Sequence, residues 1–155
     1  MSEVNPIPAG YPLVSPYLCV ADAAAAIEFY SSVFGARERM RIPAPGGKIG
    51  HAELEIGDSV IMLSDEYPEM GVLGPKSIGG SPVMISIYVE RVDEVFARAI
   101  GAGAGELRKI ENQFFGDRSG QFEDPFGHRW NVATHIEDVS TEEMQRRAAE
   151  LMGGG

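Results

Sequence analysis

His51 and Glu53 stand two residues apart in the run IGHAELEI, with Glu55 next along. Two carboxylates on one strand face, Glu53 and Glu55, are by residue type an acid–base pair, and the imidazole of His51 beside them is a metal ligand. The same spacing fits a plainer role. In it His51 is a hydrogen-bonded polar residue at a cleft or subunit edge, and Glu53 and Glu55 are a solvated face. Same-face neighbours on a strand lie about 7 Å apart, so a metal ion at His51 needs a converging third ligand such as His128 or Asp65. A second polar cluster fills residues 116–135, GDRSGQFEDPFGHRWNVATH. Its Asp124-Pro125-Phe126-Gly127 is a tight turn, because Pro pre-sets one φ and Gly tolerates the positive φ that follows. His128 braces that turn or does chemistry beside it, and Trp130 fills a core or a subunit seam. Asp117 and Arg118 fit either an ion pair fixing a loop or a solvated pair. Cys19 has no basic neighbour in sequence that would make it a nucleophile.

Composition narrows the partners. The net charge is −10 over 155 residues, which opposes binding to nucleic-acid backbones and anionic membranes. One cysteine forms no intramolecular disulfide, and a reducing compartment follows. No apolar run reaches membrane-helix length, and the first residues lack the order of a signal peptide. The expected location is cytoplasmic. No GxGxxG, P-loop, HExxH or nucleophile-elbow pattern is present, so no cofactor is predicted.

The elements that must position these residues follow in order. An arm with Pro6, Pro8 and Pro12 leads into a short strand over residues 13–20. Asp22 caps a helix whose apolar stripe is Ala23, Ala26, Ile27, Tyr30 and Phe34, closed by Gly35. A strand over 36–42, a turn over 43–48 and a hairpin of strands 49–56 and 59–65 complete a first module, 11–65. Residues 66–82 are a Gly- and Pro-rich linker. The pattern then restarts in a second module, 83–137, with a strand over 83–89, a helix over 90–101 striped by Val92, Val95, Phe96 and Ala99, and three more strands. Ser140 and Glu143 have capping-box spacing, opening a helix over 140–152 with Met144, Ala148 and Leu151 as its apolar face. Val20-Ala21-Asp22 returns as Val89-Glu90-Arg91, 69 positions on. The expected fold is α+β: two βαβββ modules whose mixed sheets make one curved surface, helices on the convex side and a cleft on the concave side.

The phrases VADAAAAIEFYSSVFGA, HAELEIGDSVIMLSDE and GDRSGQFEDPFGHRWNVATHIEDV resemble the glyoxalase/bleomycin-resistance/dioxygenase (vicinal oxygen chelate) superfamily, and within it the PhnB-like branch. The resemblance implies this fold. It also implies one of several activities: isomerase, lyase, ring-cleaving dioxygenase or drug binder. Strand alternation then assigns faces. Ser15, Tyr17 and Cys19 face the cleft from the first strand, Val60, Met62 and Ser64 from the fourth, and Met84, Ser86 and Tyr88 from the fifth. Arg129, Asn131 and Ala133 do so from the last, while Val83, Ile85, Ile87 and Val89 pack under the helix. Tyr17, Met62, Met84, Tyr88 and Phe115 fit an apolar pocket or a simple core.

The resemblance places the superfamily's metal ligands at Ser15, Met62, Met84 and Asn131. Hydroxyl, thioether and amide are poor ligands for zinc, nickel, iron or manganese. The expected function is therefore sequestration of an apolar or aromatic ligand, such as a bleomycin-type antibiotic, by a homodimer without that metal. The alternative is a metal-dependent lyase, isomerase or dioxygenase whose divalent metal sits at a displaced site using His51.

Overall fold

A computed structural model describes residues 3–153. The chain divides between Gly80 and Ser81 into two units. The first runs β1 (Tyr17–Val20), α1 (Ala23–Phe34), β2 (Arg37–Ala44), β3 (Lys48–Ile56), β4 (Ser59–Asp65) and the short α2 (Pro75–Ile78). The second runs β5 (Met84–Tyr88), α3 (Val92–Gly101), β6 (Gly105–Asn112), β7 (Asp117–Glu123), β8 (Arg129–His135) and α4 (Thr141–Gly153). Each unit holds a four-stranded sheet, ordered β1-β4-β3-β2 in the first and β5-β8-β7-β6 in the second. In each, the first strand lies parallel to the last, and the other pairings are antiparallel. The fold is thus α+β, built from the βαβββ module twice. No helix among the described residues is long and apolar enough to cross a membrane.

In each unit one helix, α1 or α3, covers one face of the sheet. Asp22 caps α1 by accepting from Ala25 N at 3.1 Å, and Gly35 ends it at φ 70°. Ala23, Ala26, Ile27, Phe29, Tyr30 and Val33 are buried from α1, against Leu18, Val20, Ala52, Leu54, Ile61 and Leu63 of the sheet. In the second unit Val92, Val95, Phe96 and Ala99 bury against Phe122, Trp130 and Val132. Gly120 lets α3 sit close: a Cβ there would meet Ile110 Cδ1 at 2.7 Å and Phe96 Cε2 at 3.1 Å.

The two helices are pinned by the same device. Asp65, at the end of β4, is buried and accepts from Ala23 N at 2.8 Å and Ile49 N at 2.7 Å. Thr134, near the end of β8, accepts from Val92 N at 3.0 Å and donates to Val89 O at 2.8 Å. Both residues of the second clip stand 69 positions after those of the first. A helix's first N–H groups have no intrahelical partner, so a side chain from the neighbouring strand supplies one.

Several sequence expectations need correction. The first strand begins at Tyr17, not at residue 13, and Leu13 and Val14 are exposed. Pro16 accepts from Met62 N but has no N–H to return, so the ladder stops there. Val83 precedes β5 and is 62% exposed rather than packed. Residues 66–82 are not plain loop: Tyr67 bridges Val72, and α2 follows. The Ser140 cap forms, with Glu143 N donating to Ser140 Oγ at 3.2 Å, but the Glu143 carboxylate turns to Arg146 and Arg147 instead of back to the cap. Leu151 is exposed.

Asp65→Ala removes a buried charged acceptor and orphans two N–H groups, which costs about 3 kcal/mol. Thr134→Val removes the weaker neutral clip and costs about 1.5 kcal/mol. Urea unfolding of the two variants at neutral pH checks the order; equal losses would show that the clips are not the supports described.

Candidate functional site

In the first unit, the sheet face turned away from α1 carries one register row: Tyr17 opposite Met62, Met62 opposite Glu53, and Glu53 opposite Met40. Glu53 is buried, at 6% exposure, although it is a carboxylate. Two hydrogen bonds satisfy it. Tyr11, from the arm before β1, donates its hydroxyl to Oε1 at 2.5 Å, and His51 Nε2 lies 2.8 Å from Oε2. The other ring nitrogen of His51, Nδ1, lies 2.8 Å from the Tyr17 hydroxyl. Those bonds hold the Glu53 carboxyl below the usual carboxylate range, His51 contributing most and Tyr11 next, against the opposing pull of burial. The Tyr11 phenol is pushed up, chiefly by its bond to Glu53. Arg39 stacks over the Tyr11 ring at 4.5 Å and donates to Gly10 O at 3.0 Å, pinning the arm across the sheet. Glu55 pairs instead with Arg37 at 2.8 Å, at the periphery.

The charge state of Glu53 fixes the tautomer. An ionised carboxylate only accepts, so His51 Nε2 carries the hydrogen. In the neutral ring Nδ1 then accepts, and Tyr17 donates to it. The chain Tyr17–His51–Glu53 therefore leads from an exposed phenol through an imidazole to a buried carboxylate.

The second unit repeats the row with different chemistry. Ser86 lies opposite Asn131, and Asn131 opposite Gln121. Asn131 donates to Ser86 Oγ at 3.2 Å and accepts from Gln121 Nε2 at 3.4 Å. Met84 lies opposite Arg129. Arg129 Nε is buried without a hydrogen bond, 3.6 Å from Glu123 Oε1. Tyr88 donates to Asp117 Oδ2 at 2.7 Å, which raises the Tyr88 phenol. His135 bridges Asp117 and Asp138, each at 2.8 Å, and its imidazole is raised by those bonds, Asp117 first.

Most of the expected residues lie where alternation put them, within their own unit. Tyr17 and Met62 join the Glu53 row, and Met84, Ser86, Tyr88, Arg129 and Asn131 share the face opposite α3. Ser15 is half-buried in the arm. Val60, Ser64 and Ala133 are buried, and the Ser64 hydroxyl donates to Asp65 O at 3.0 Å. Phe115 packs edge-on against Phe114 at 5.3 Å in the loop before β7. Asp117 and Arg118 are not partners: neighbours on a strand point to opposite faces, and Arg118 pairs with Asp93 of α3 at 2.8 Å. Trp130 is core, its Nε1 donating to the buried Asp124, which also accepts from Phe126 N and His128 N and so closes the DPFG turn. Tyr11, His135 and Asp138 were not anticipated. His135 continues the 129, 131, 133 alternation and was findable on that ground; Tyr11, in an arm without periodicity, was not.

Among the described residues no three His, Cys, Asp or Glu side chains gather as a metal set. Both His51 nitrogens are engaged by Tyr17 and Glu53, and Ser15, Met62, Met84 and Asn131 offer no imidazole or carboxylate. Within either unit, the residues present do not fit a zinc-, nickel-, iron- or manganese-type centre.

Two βαβββ units, each with a helix on one sheet face and a polar–aromatic row on the other, define the class of protein. The chain belongs to the Glyoxalase/Bleomycin resistance protein/Dioxygenase superfamily, whose model matches residues 12–132. It is 44% identical over 137 residues to an uncharacterised protein of Mycobacterium tuberculosis, covering 86% of this chain and 81% of that one. TioX from Micromonospora sp. ML1 is 28% identical, with a TM-score of 0.61 over 79% of this chain and 99% of that one. The fosfomycin resistance protein FosX from Listeria monocytogenes shares the fold, with a TM-score of 0.64 at 18% identity over 86% of this chain and 97% of that one.

The His135 imidazole, raised in the folded state, contributes stability that is full below its unfolded value of about 6.5 and is lost as pH rises through the folded value. Thermal melts of the wild type and His135→Gln should therefore differ more at about pH 6 than at about pH 9. A gap that does not change with pH would contradict the bridge to Asp117 and Asp138.

Proposed function

We propose that this chain is a small-molecule-binding member of the superfamily that sequesters an apolar or aromatic ligand, of the bleomycin type, without the superfamily's metal ion. One observation carries this reading: where the resemblance places metal ligands, the chain has Ser15, Met62, Met84 and Asn131, and the Asn131 amide is already bonded to Ser86 and Gln121. The faces opposite α1 and α3 suit such a ligand. Tyr17, Met40, Met84 and Tyr88 offer exposed apolar and aromatic surface. The displaced-metal alternative is weakened by the engagement of both His51 nitrogens.

We infer self-association as well. Val4, Ile7, Leu13 and Val14 are exposed along the arm, and β1 and β5 are edge strands of their sheets. The homodimer is the expected assembly.

Metal-stripped protein should show no rise in melting temperature with nickel, zinc, manganese or cobalt. A bleomycin-type or aromatic ligand at a hundredfold excess over its Kd should raise it by about 5–10 °C. A metal-induced rise of that size would overturn the reading in favour of a metalloenzyme. Light scattering should return about twice the 16.7 kDa chain mass; a monomer at micromolar concentration would remove the dimer.

A further inference from the structure

We propose that Tyr17 is a base-activated nucleophile, with His51 as its general base and Glu53 as the group that positions the imidazole, and that the site reacts with acyl- or sulfonyl-type electrophiles. Tyr11, Tyr17 and Tyr88 face different partners. Tyr11 and Tyr88 donate to carboxylates, at Glu53 and Asp117. A carboxylate is too weak a base to take a phenol's proton, and a neighbouring negative charge opposes phenolate formation. Tyr17 instead donates to an imidazole nitrogen at 2.8 Å, and an imidazole can accept that proton. The imidazolium so formed lies 2.8 Å from a buried carboxylate, which stabilises the charge. The order is nucleophile, base, orienting acid, the arrangement that activates a hydroxyl in unrelated folds.

Position supports the same role. Tyr17 is 53% exposed, whereas Glu53 is 6% exposed. Tyr11 occupies Oε1 of Glu53 and leaves Oε2 for His51. Met62 lies between Tyr17 and Glu53 in the register row and gives the electrophile an apolar seat, which favours an aromatic or aliphatic acyl group.

The step balances within the site. The Tyr17 oxygen forms a bond to the acyl carbon while its proton passes to His51 Nδ1. The bond to the leaving group breaks, and that group departs with the electron pair and takes the proton from His51. Water then adds to the acyl-tyrosine, giving a proton to His51, and the C–O bond to Tyr17 breaks. The free acid leaves, and the proton returns through His51 to the phenol. With a sulfonyl fluoride the O–S bond forms, the S–F bond breaks, and fluoride departs with the phenol's proton released to water.

An arylsulfonyl fluoride is the probe. Full-length protein is incubated with it at pH 7.5, and peptide mass spectrometry reads the adducts on Tyr17 and Tyr88. Tyr88 is the more exposed, at 68%, so accessibility alone favours Tyr88. Base assistance reverses that order, with Tyr17 labelled at least about tenfold faster. His51→Gln should abolish the Tyr17 preference and leave the Tyr88 rate unchanged, and Glu53→Gln should reduce it. Labelling of Tyr88 at the same rate or faster overturns the proposal, as does a preference that survives His51→Gln. The Asp117 contact also slows Tyr88, so wild-type Tyr17 is timed against N-acetyltyrosine amide as well, which needs no variant; labelling of Tyr17 no faster than that free phenol overturns the proposal. The readout is also independent of the binding reading above: failure here leaves sequestration standing, and failure to bind a bleomycin-type ligand leaves the triad standing.

Discussion

Each unit depends on one hydrogen bond from the first N–H of its helix to a side chain at the end of its last strand: Ala23 to Asp65, and Val92 to Thr134. It seats the helix on one face of the sheet, and the strands beneath then alternate between a dry side and an open side. Asp65 reaches further than Thr134, because its second oxygen also holds the start of β3 at Ile49. The carboxylate thus joins helix, last strand and third strand at one buried point. Register follows, and register sets Tyr17, Met62 and Glu53 in one line.

Much of this was legible because a sheet covered on one face must alternate. The hydrophobic residues of β1, β3, β4 and β8 name their own buried side, and the repeat at 69 positions names the second module. The row Tyr17–Met62 and the row Ser86–Asn131 are the same register step taken twice. Edges were harder. Leu13 and Val14 look like strand residues, but Pro16 cannot continue the ladder. Val83 looks like a core position, yet it lies outside β5. The linker's short structure rests on turns that hydrophobic period does not report.

The site was half legible for a similar reason. Alternation put His51 and Glu53 on one face, which suggested chemistry or solvent. It did not show that Glu53 is covered, because its cover, Tyr11, comes from an arm with no periodic pattern. Nor did it show that His51 has a partner on each side, since one of them sits on a different strand. For Asp117 the sequence offers an ion pair with Arg118 or a solvated pair, whereas its partners, Tyr88 and His135, come from across the sheet. Long-range side-chain pairs leave no mark in a local pattern.

The parallel pairing of β1 with β4 has a kinetic consequence. The antiparallel pairs β2–β3 and β3–β4 close over short connections, whereas β1 must wait for the whole intervening chain before it can dock. As an edge strand of four residues it closes the longest connection in its sheet and carries the largest loop-closure entropy there. Tyr17 rides on that segment and His51 on an interior strand. Opening at the sheet's margin would part the phenol from the imidazole while leaving the hydrophobic interior assembled.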